Sequence, residues 1–465
     1  MKSLKLLARF LICIIVCLSL ASCNKATPSK KLSPEAEKQA RADWNMKTTA
    51  EAYKNAGTGN PAWDEFAQQA LIAFANARAG DPDGNWGEVI AKNSAAAMNA
   101  GCNDPMVRYL YIKYAMDQTG SKEKFADAFC DVARVMEKSS YPTIRKFYAS
   151  ARAVDQLYYT YTNGADRNTL GEMYNNMLNE IHVLVRDKST PPEEIYQACT
   201  LALHETAGDI KEYQQLYNEI EKPLFQNWPE ASASWLLKGQ SYVVLGWRAR
   251  GSGYANSVTD EGWKMFSKDL EIAEDAFNHA WKIDPTDSRI PLQMMSGPIT
   301  GLGRDHDEME LWFGRGMTLT PNNYDLCHSK LYYLEPKWHG SVEEMLAFGR
   351  KCVQSPDWGG RVPLILVDAH LSICRYIDES KRTNYWKLPE VWADIKPAYE
   401  KFFQLNPNVT GSDRAYYAWY AYQAKDWDKL NELIPKLGPN DYYIFGSKDE
   451  FDKMVQLAKE HSSPK

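Results

Sequence analysis

The chain has almost none of the alternation of apolar and polar residues that marks a half-buried β-strand. It also lacks the linear signatures of several chemistries. There is no GxSxG elbow, no phosphate-cradling glycine loop and no paired-cysteine zinc pattern, and "LHETAGD" offers His204 and Glu205 without a second histidine at metalloprotease spacing. Positive charge is short: 54 Lys and Arg stand against 60 Asp and Glu, a formal charge of −6. General affinity for nucleic acid is therefore excluded. The eight histidines are scattered. His306, in "GRDHDEMELW", sits among acids that suit a helix start better than a cation site. The carboxylates are too many and too evenly spread to single out an acid/base pair. No catalytic residue, metal or cofactor is expected.

No apolar run after the first 23 residues is long enough to span a membrane. That leader is itself informative. "MKSLKLLARF" is basic, "LICIIVCLSL" is a short apolar run, and "LASC" follows at 20–23, the layout of an export signal. Its end resembles the bacterial lipobox: Leu20, small Ala21 and Ser22, then Cys23. The resemblance implies removal of residues 1–22 and acylation of Cys23, which would anchor the chain with no further membrane segment. Asn24, rather than aspartate, tilts the address toward the outer membrane of a bacterial envelope. Residues 23–34, from the lipidated cysteine through "NKATPSKKLSP", read as a tether. Six cysteines would remain, without CxxC spacing; they read as small packed residues, with Cys327 and Cys352 placed where paired helices can bring them together.

Helical periodicity dominates from residue 35 onward. "DEFAQQALIAFANARAG", "KEKFADAFCDVARVMEK" and "DLEIAEDAFNHAWKI" all repeat apolar residues at i, i+3 or i+4, and the breaks between them are short enough to make antiparallel hairpins. The run "VPLILVDAHL" at 362–371 suits a buried helix better than a strand. We divide the chain into an N-terminal helical region, 35–228, and a repeat region, 229–465.

"AEDAFNHAWKIDP" carries Ala273, Phe277, Ala280 and Pro285, and upstream "WLLKGQSY" carries Trp235, Gly239 and Tyr242. Together these resemble the two helices of a tetratricopeptide repeat, with Lys238 in place of a preferred Leu. "ALIAFANARAGDP" matches the second helix at Ala70, Phe74, Ala77 and Pro82. Prolines at 285, 321, 356 and 407 are spaced by 36, 35 and 51 residues, the first two near the family period and the last enlarged around "DESKRTNYWKLPE". The resemblance implies an all-α fold of antiparallel helix pairs stacked as a TPR-like α-solenoid.

One repeat is split. Tyr242 and Ala273 lie 31 residues apart where the family pattern has nine, so about 22 residues are inserted at a hairpin tip. The segment "GWRARGSGYANSVTDEGW" is expected to form a loop with a helical extension from Asp260. This insert, with "NNYDLCHSKLYYLEPKWHGSVEEMLAFGRKC", resembles an uncharacterised family of bacterial TPR-like proteins, which implies fold and no activity. Trp247, Arg248, Arg250, Tyr254 and Trp263 are the candidate ligand-binding residues, an aromatic and cationic set able to clamp a carboxylate. The competing reading has the tryptophans covering the loop and the arginines solvated. A second aromatic segment, "RAYYAWYAYQAKDW", repeats Ala415, Ala418, Ala421 and Ala424 every three residues and reads as core.

Three functions fit. The first is a lipid-anchored, non-catalytic envelope scaffold that binds a protein or peptide. The second is a glycan-binding surface lipoprotein, suggested by 15 Trp and 27 Tyr. The third is a helical glycan-active enzyme of the α/α type, which needs no linear motif.

Overall fold

The computed structural model describes residues 34–80, 84–117, 120–161, 167–253, 255–409 and 411–461. Cys23, Pro82 and Tyr254 lie outside the described residues. Every regular element among those described is helical. Polar caps start many of the helices: the side chains of Thr259, Asp305, Asn323 and Ser341 each accept from a backbone N–H two or three residues on. Prolines mark the stops. Pro285, Pro321, Pro356 and Pro407 each stand two residues beyond helices that end at Ile283, Leu319, Gln354 and Leu405.

The chain divides into two compact units, residues up to Tyr174 and residues from Asn175. In the first unit, α1 (Pro34–Met46) passes through a π-helical turn, Lys47–Glu51, into α2 (Ala52–Asn55). There follow α3 (Asp64–Arg78), α4 (Trp86–Asn99), α5 (Pro105–Tyr114), α6 (Lys122–Glu137) and α7 (Thr143–Thr160). Each of α3 to α6 packs on the next. Their core includes Leu71, Phe74, Val107, Leu110, Phe129 and Met136. Two polar anchors cross it. Asp104 caps α5 and also accepts from Thr58 Oγ1 at 2.7 Å and Tyr141 Oη at 3.0 Å. Burial pushes its carboxyl upward, and those hydrogen bonds oppose the shift. Arg145, 2% exposed, donates to Asn45 Oδ1 at 2.7 Å and Thr48 Oγ1 at 2.6 Å, tying α7 to the π-helical turn.

Helix α8 (Arg167–Leu184) contains the unit boundary. The second unit is a run of helix pairs: α9 (Pro192–Thr206) with α10 (Ile210–Asn227), and α11 (Ser232–Arg250) with α12 (Asp260–Ile283). Next, α13 (Arg289–Met294) continues through a π-helical turn into α14 (Thr300–Leu302) and pairs with α15 (His306–Leu319). Then α16 (Tyr324–Tyr333) pairs with α17 (Val342–Gln354), and α18 (Ile365–Tyr376) is followed by the short α19 (Glu379–Tyr385) before its partner α20 (Pro389–Leu405). Last come α21 (Asp413–Ala424), α22 (Trp427–Leu433) and α23 (Lys448–Glu460). First helices touch the next first helix through α9, α11, α13, α16 and α18, while each second helix also meets the first helix that follows. That stacking is the TPR-like α-solenoid expected from the repeat.

The repeat residues serve this packing directly. A Cβ on Gly239 would lie 2.3 Å from a ring carbon of Phe277, itself fully buried, so the missing side chain is what lets α12 close on α11. Gly316 likewise gives way to Leu326, and Gly349 to the backbone of Leu366. The departure at Lys238 has a local cause. Its ammonium pairs with Glu221 at 2.9 Å and lies over the rings of Phe225 and Tyr242. The apolar run at 362–371 is helical as expected, entering through a 3₁₀ turn at Val362–Leu364.

Candidate functional site

The split repeat is a long helical hairpin. The extra residues lengthen both helices, and only 251–259 remain between them, so helix takes the larger share of an insertion expected to be mainly loop. The glycines in this stretch explain why. Gly251 ends α11 at φ +78°, a conformation costly for other residues. Gly246 and Gly262 permit close crossing: a Cβ on Gly262 would lie 2.9 Å from the Ala249 carbonyl oxygen, and one on Gly246 3.4 Å from the Phe266 carbonyl oxygen.

At the tip, Trp247 and Arg250 from α11 meet Trp263 from α12. Trp338, from the α16–α17 connection, joins them. The Arg250 guanidinium lies 5.7, 5.2 and 5.8 Å from the ring centroids of Trp247, Trp263 and Trp338. One of its terminal nitrogens donates to the carbonyls of Gly251 and Gly253, both at 3.1 Å. Trp247 stands edge-on to Trp338 and to the buried Phe266. The predicted residues Trp247, Arg250 and Trp263 are thus brought together, but chiefly to lock the tip. Arg248 points elsewhere, donating to the Ala207 carbonyl at 2.9 Å while staying exposed. Sequence reading missed Trp338, because nothing in "EPKWHG" signals contact with a segment some 90 residues earlier.

A second group of residues lies on the first helices of the later repeats. His328 on α16, Leu371 and Arg375 on α18, and Tyr416 on α21 are all exposed, Leu371 by 39% and Tyr416 by 45%. Beneath them Tyr324 Oη donates to Asp368 Oδ2 at 2.6 Å. Arg361 holds Asp413 through two hydrogen bonds, at 2.9 and 3.0 Å. Burial raises the Asp368 carboxyl above its ordinary value, against the pull of Tyr324, His328, Arg361 and Arg375. Deeper still, buried His370 meets Tyr385 Oη at 2.7 Å through Nδ1 and Asp394 Oδ2 at 3.2 Å through Nε2. Arg350 grips the same aspartate at 2.9 and 2.8 Å. Burial depresses the imidazole, and Asp394 opposes that.

The aromatic helix α21 is core on one side, as expected. Ala415, Ala418 and Ala421 are fully buried, and Tyr417 stacks on Tyr399 with centroids 4.7 Å apart. His306 starts α15 and contacts the His339 carbonyl at 3.1 Å. Among the described residues no group of three or more His, Cys, Asp or Glu is arranged to hold a metal. Cys102, Cys130, Cys199, Cys327, Cys352 and Cys374 are buried free thiols, and those of Cys327 and Cys352 contact one another across α16 and α17.

No family model matches the chain, and no curated protein matches it. Among solved structures, "Human IFIT1 dimer with m7Gppp-AAAA" is similar at a TM-score of 0.29 and 11% identity, covering 92% of this chain and 91% of that one. A likeness so distant says nothing about a ligand here. The class rests on the helices themselves: an all-α, TPR-like α-solenoid with a helical insertion in one repeat.

Proposed function

We propose that the chain is a non-catalytic scaffold, anchored through lipid on Cys23 in a bacterial envelope at the outer membrane, that binds a protein or peptide partner. The observation that carries this reading is the exposed face of the first helices. It mixes apolar Leu371, aromatic Tyr416 and polar His328 and Arg375 on α16, α18 and α21. Such a strip suits an extended polypeptide, which brings alternating apolar and polar groups. Arg248 is the member of the hairpin tip most available to the same partner, since it alone of Trp247, Arg248, Arg250 and Trp263 is exposed.

The glycan reading has weaker support. Many of the rings that suggested it are packed against one another, Tyr399, Phe402, Tyr417 and Tyr420 among them. The test is co-purification from detergent-solubilised envelope, comparing the lipidated chain with a Leu371→Glu/Tyr416→Ala double variant of unchanged helicity. A defined partner retained by the first and lost by the second supports the reading. Equal recovery, or none from either, rejects it; in the second case glycan binding becomes the favoured assay.

A further inference from the structure

In the second unit the guanidinium groups that lie against aromatic rings are nearly all held by an acceptor of the chain itself. Arg250 has the Gly251 and Gly253 carbonyls, Arg289 has Glu193 and Asp287 beside Tyr196, and Arg361 has Asp413 beside Tyr324 and Phe402. Arg414, over Phe403, donates to the Val409 carbonyl at 2.8 Å. Arg315 on α15 is different. Its guanidinium lies 4.3 Å from the ring centroid of Trp312 and 5.1 Å from that of Trp281, two indoles set at 73° to each other. Among the described residues it has neither a hydrogen-bond acceptor nor an ion-pair partner.

We propose that Arg315, braced in the corner between Trp281 and Trp312, is a receptor for a carboxylate carried by a partner peptide. The site is separate from the strip of first helices, since α12 and α15 are both second helices, and it rests on its own observation. The two flanking indoles restrict the guanidinium, so less freedom is lost on binding an anion. No acid among the described residues offsets the charge: burial alone lowers the affinity of Arg315 for its proton. An incoming carboxylate therefore meets an uncompensated, partly desolvated cation, where a two-pronged charge-assisted bond is strongest.

The surroundings favour a peptide over an acidic sugar. Leu311, one turn earlier on the same helix face, is 51% exposed and offers an apolar contact to a neighbouring side chain. Trp312 is 2% exposed and turned toward the guanidinium, so it presents no open ring on which a sugar could stack. The ligand this geometry fits is an acidic residue, or a free C-terminus, next to an apolar one.

The test is a synthetic peptide array in matched pairs, each pair differing only as Glu against Gln beside Leu, or as C-terminal acid against amide. The wild-type chain should prefer the acid member by roughly tenfold or more. Arg315→Gln should abolish the preference, and Arg315→Lys, which keeps charge without the fork, should weaken it. Leu311→Asp, which leaves the Trp281–Trp312 corner intact, should abolish it by like-charge repulsion. Absence of an acid preference in the wild type, or a preference unchanged in Arg315→Gln and Leu311→Asp, overturns the proposal. So does Arg315-dependent binding of polygalacturonate without any peptide preference. Because the array reads Arg315 alone, its failure leaves the first-helix strip to stand or fall by its own co-purification test.

Discussion

Single side chains set the tolerances of this fold. Adding a methyl at Gly239 must displace the ring of Phe277, which is fully buried and closely confined. Gly239→Ala should therefore destabilise the chain by about 1–3 kcal/mol in urea unfolding, despite the better helix propensity of alanine. His370 gives a pH signature. In the unfolded chain it takes a proton near its ordinary value of 6.5, whereas in the fold burial keeps it neutral to lower pH. Between those two values the unfolded state binds more protons, so stability should be full above pH 6.5 and fall as pH drops below it. His370→Gln should flatten that slope relative to wild type in denaturation curves taken from pH 7.5 to 5. The thiols give a third check. Burial pushes Cys102 and Cys130 up to about 11, and all six described cysteines are buried, so Ellman's reagent at pH 8 should find none until the chain is unfolded.

At the scale of elements, the legible features were those with a fixed spacing. Each repeat proline falls two residues past a helix end, so the 36- and 35-residue intervals mark the ends of the second helices α12, α15 and α17. The insertion of about 22 residues between Tyr242 and Ala273 was legible in length and not in form. Its glycines suggest a loop locally, while in three dimensions Gly246 and Gly262 serve close helix crossing. Long-range partners were the hardest to see. The ring of Trp338 beside Arg250 and the corner that Trp281 and Trp312 make for Arg315 depend on which helices stack, information that no local pattern carries. The second insertion shows the same division. "DESKRTNYWKLPE" was located by spacing, but its attachment is tertiary: α19 is exposed and is held through Tyr385 to His370 and through Trp386 to Tyr420. Tyr385→Phe combined with Trp386→Ala should speed amide exchange across Glu379–Tyr385 while leaving α16 and α17 protected.

On the scale of the whole molecule, we propose that lipid on Cys23 anchors a helical-pair scaffold whose use is recognition. Cys23→Ser should move the chain from the membrane fraction to the soluble fraction without changing its circular dichroism, because no described helix is long and apolar enough to cross a membrane. The central claim is that a polypeptide partner lies along the first helices of the later repeats. Its most direct test is site-specific photocrosslinking in intact cells, with the crosslinker placed at His328, Leu371 or Tyr416 and, as controls, at exposed Ala347 on α17 and Glu400 on α20. The account predicts one discrete protein adduct shared by the three first-helix positions and absent from both controls. Adducts of equal yield from the controls, or none from the first-helix positions, would contradict it.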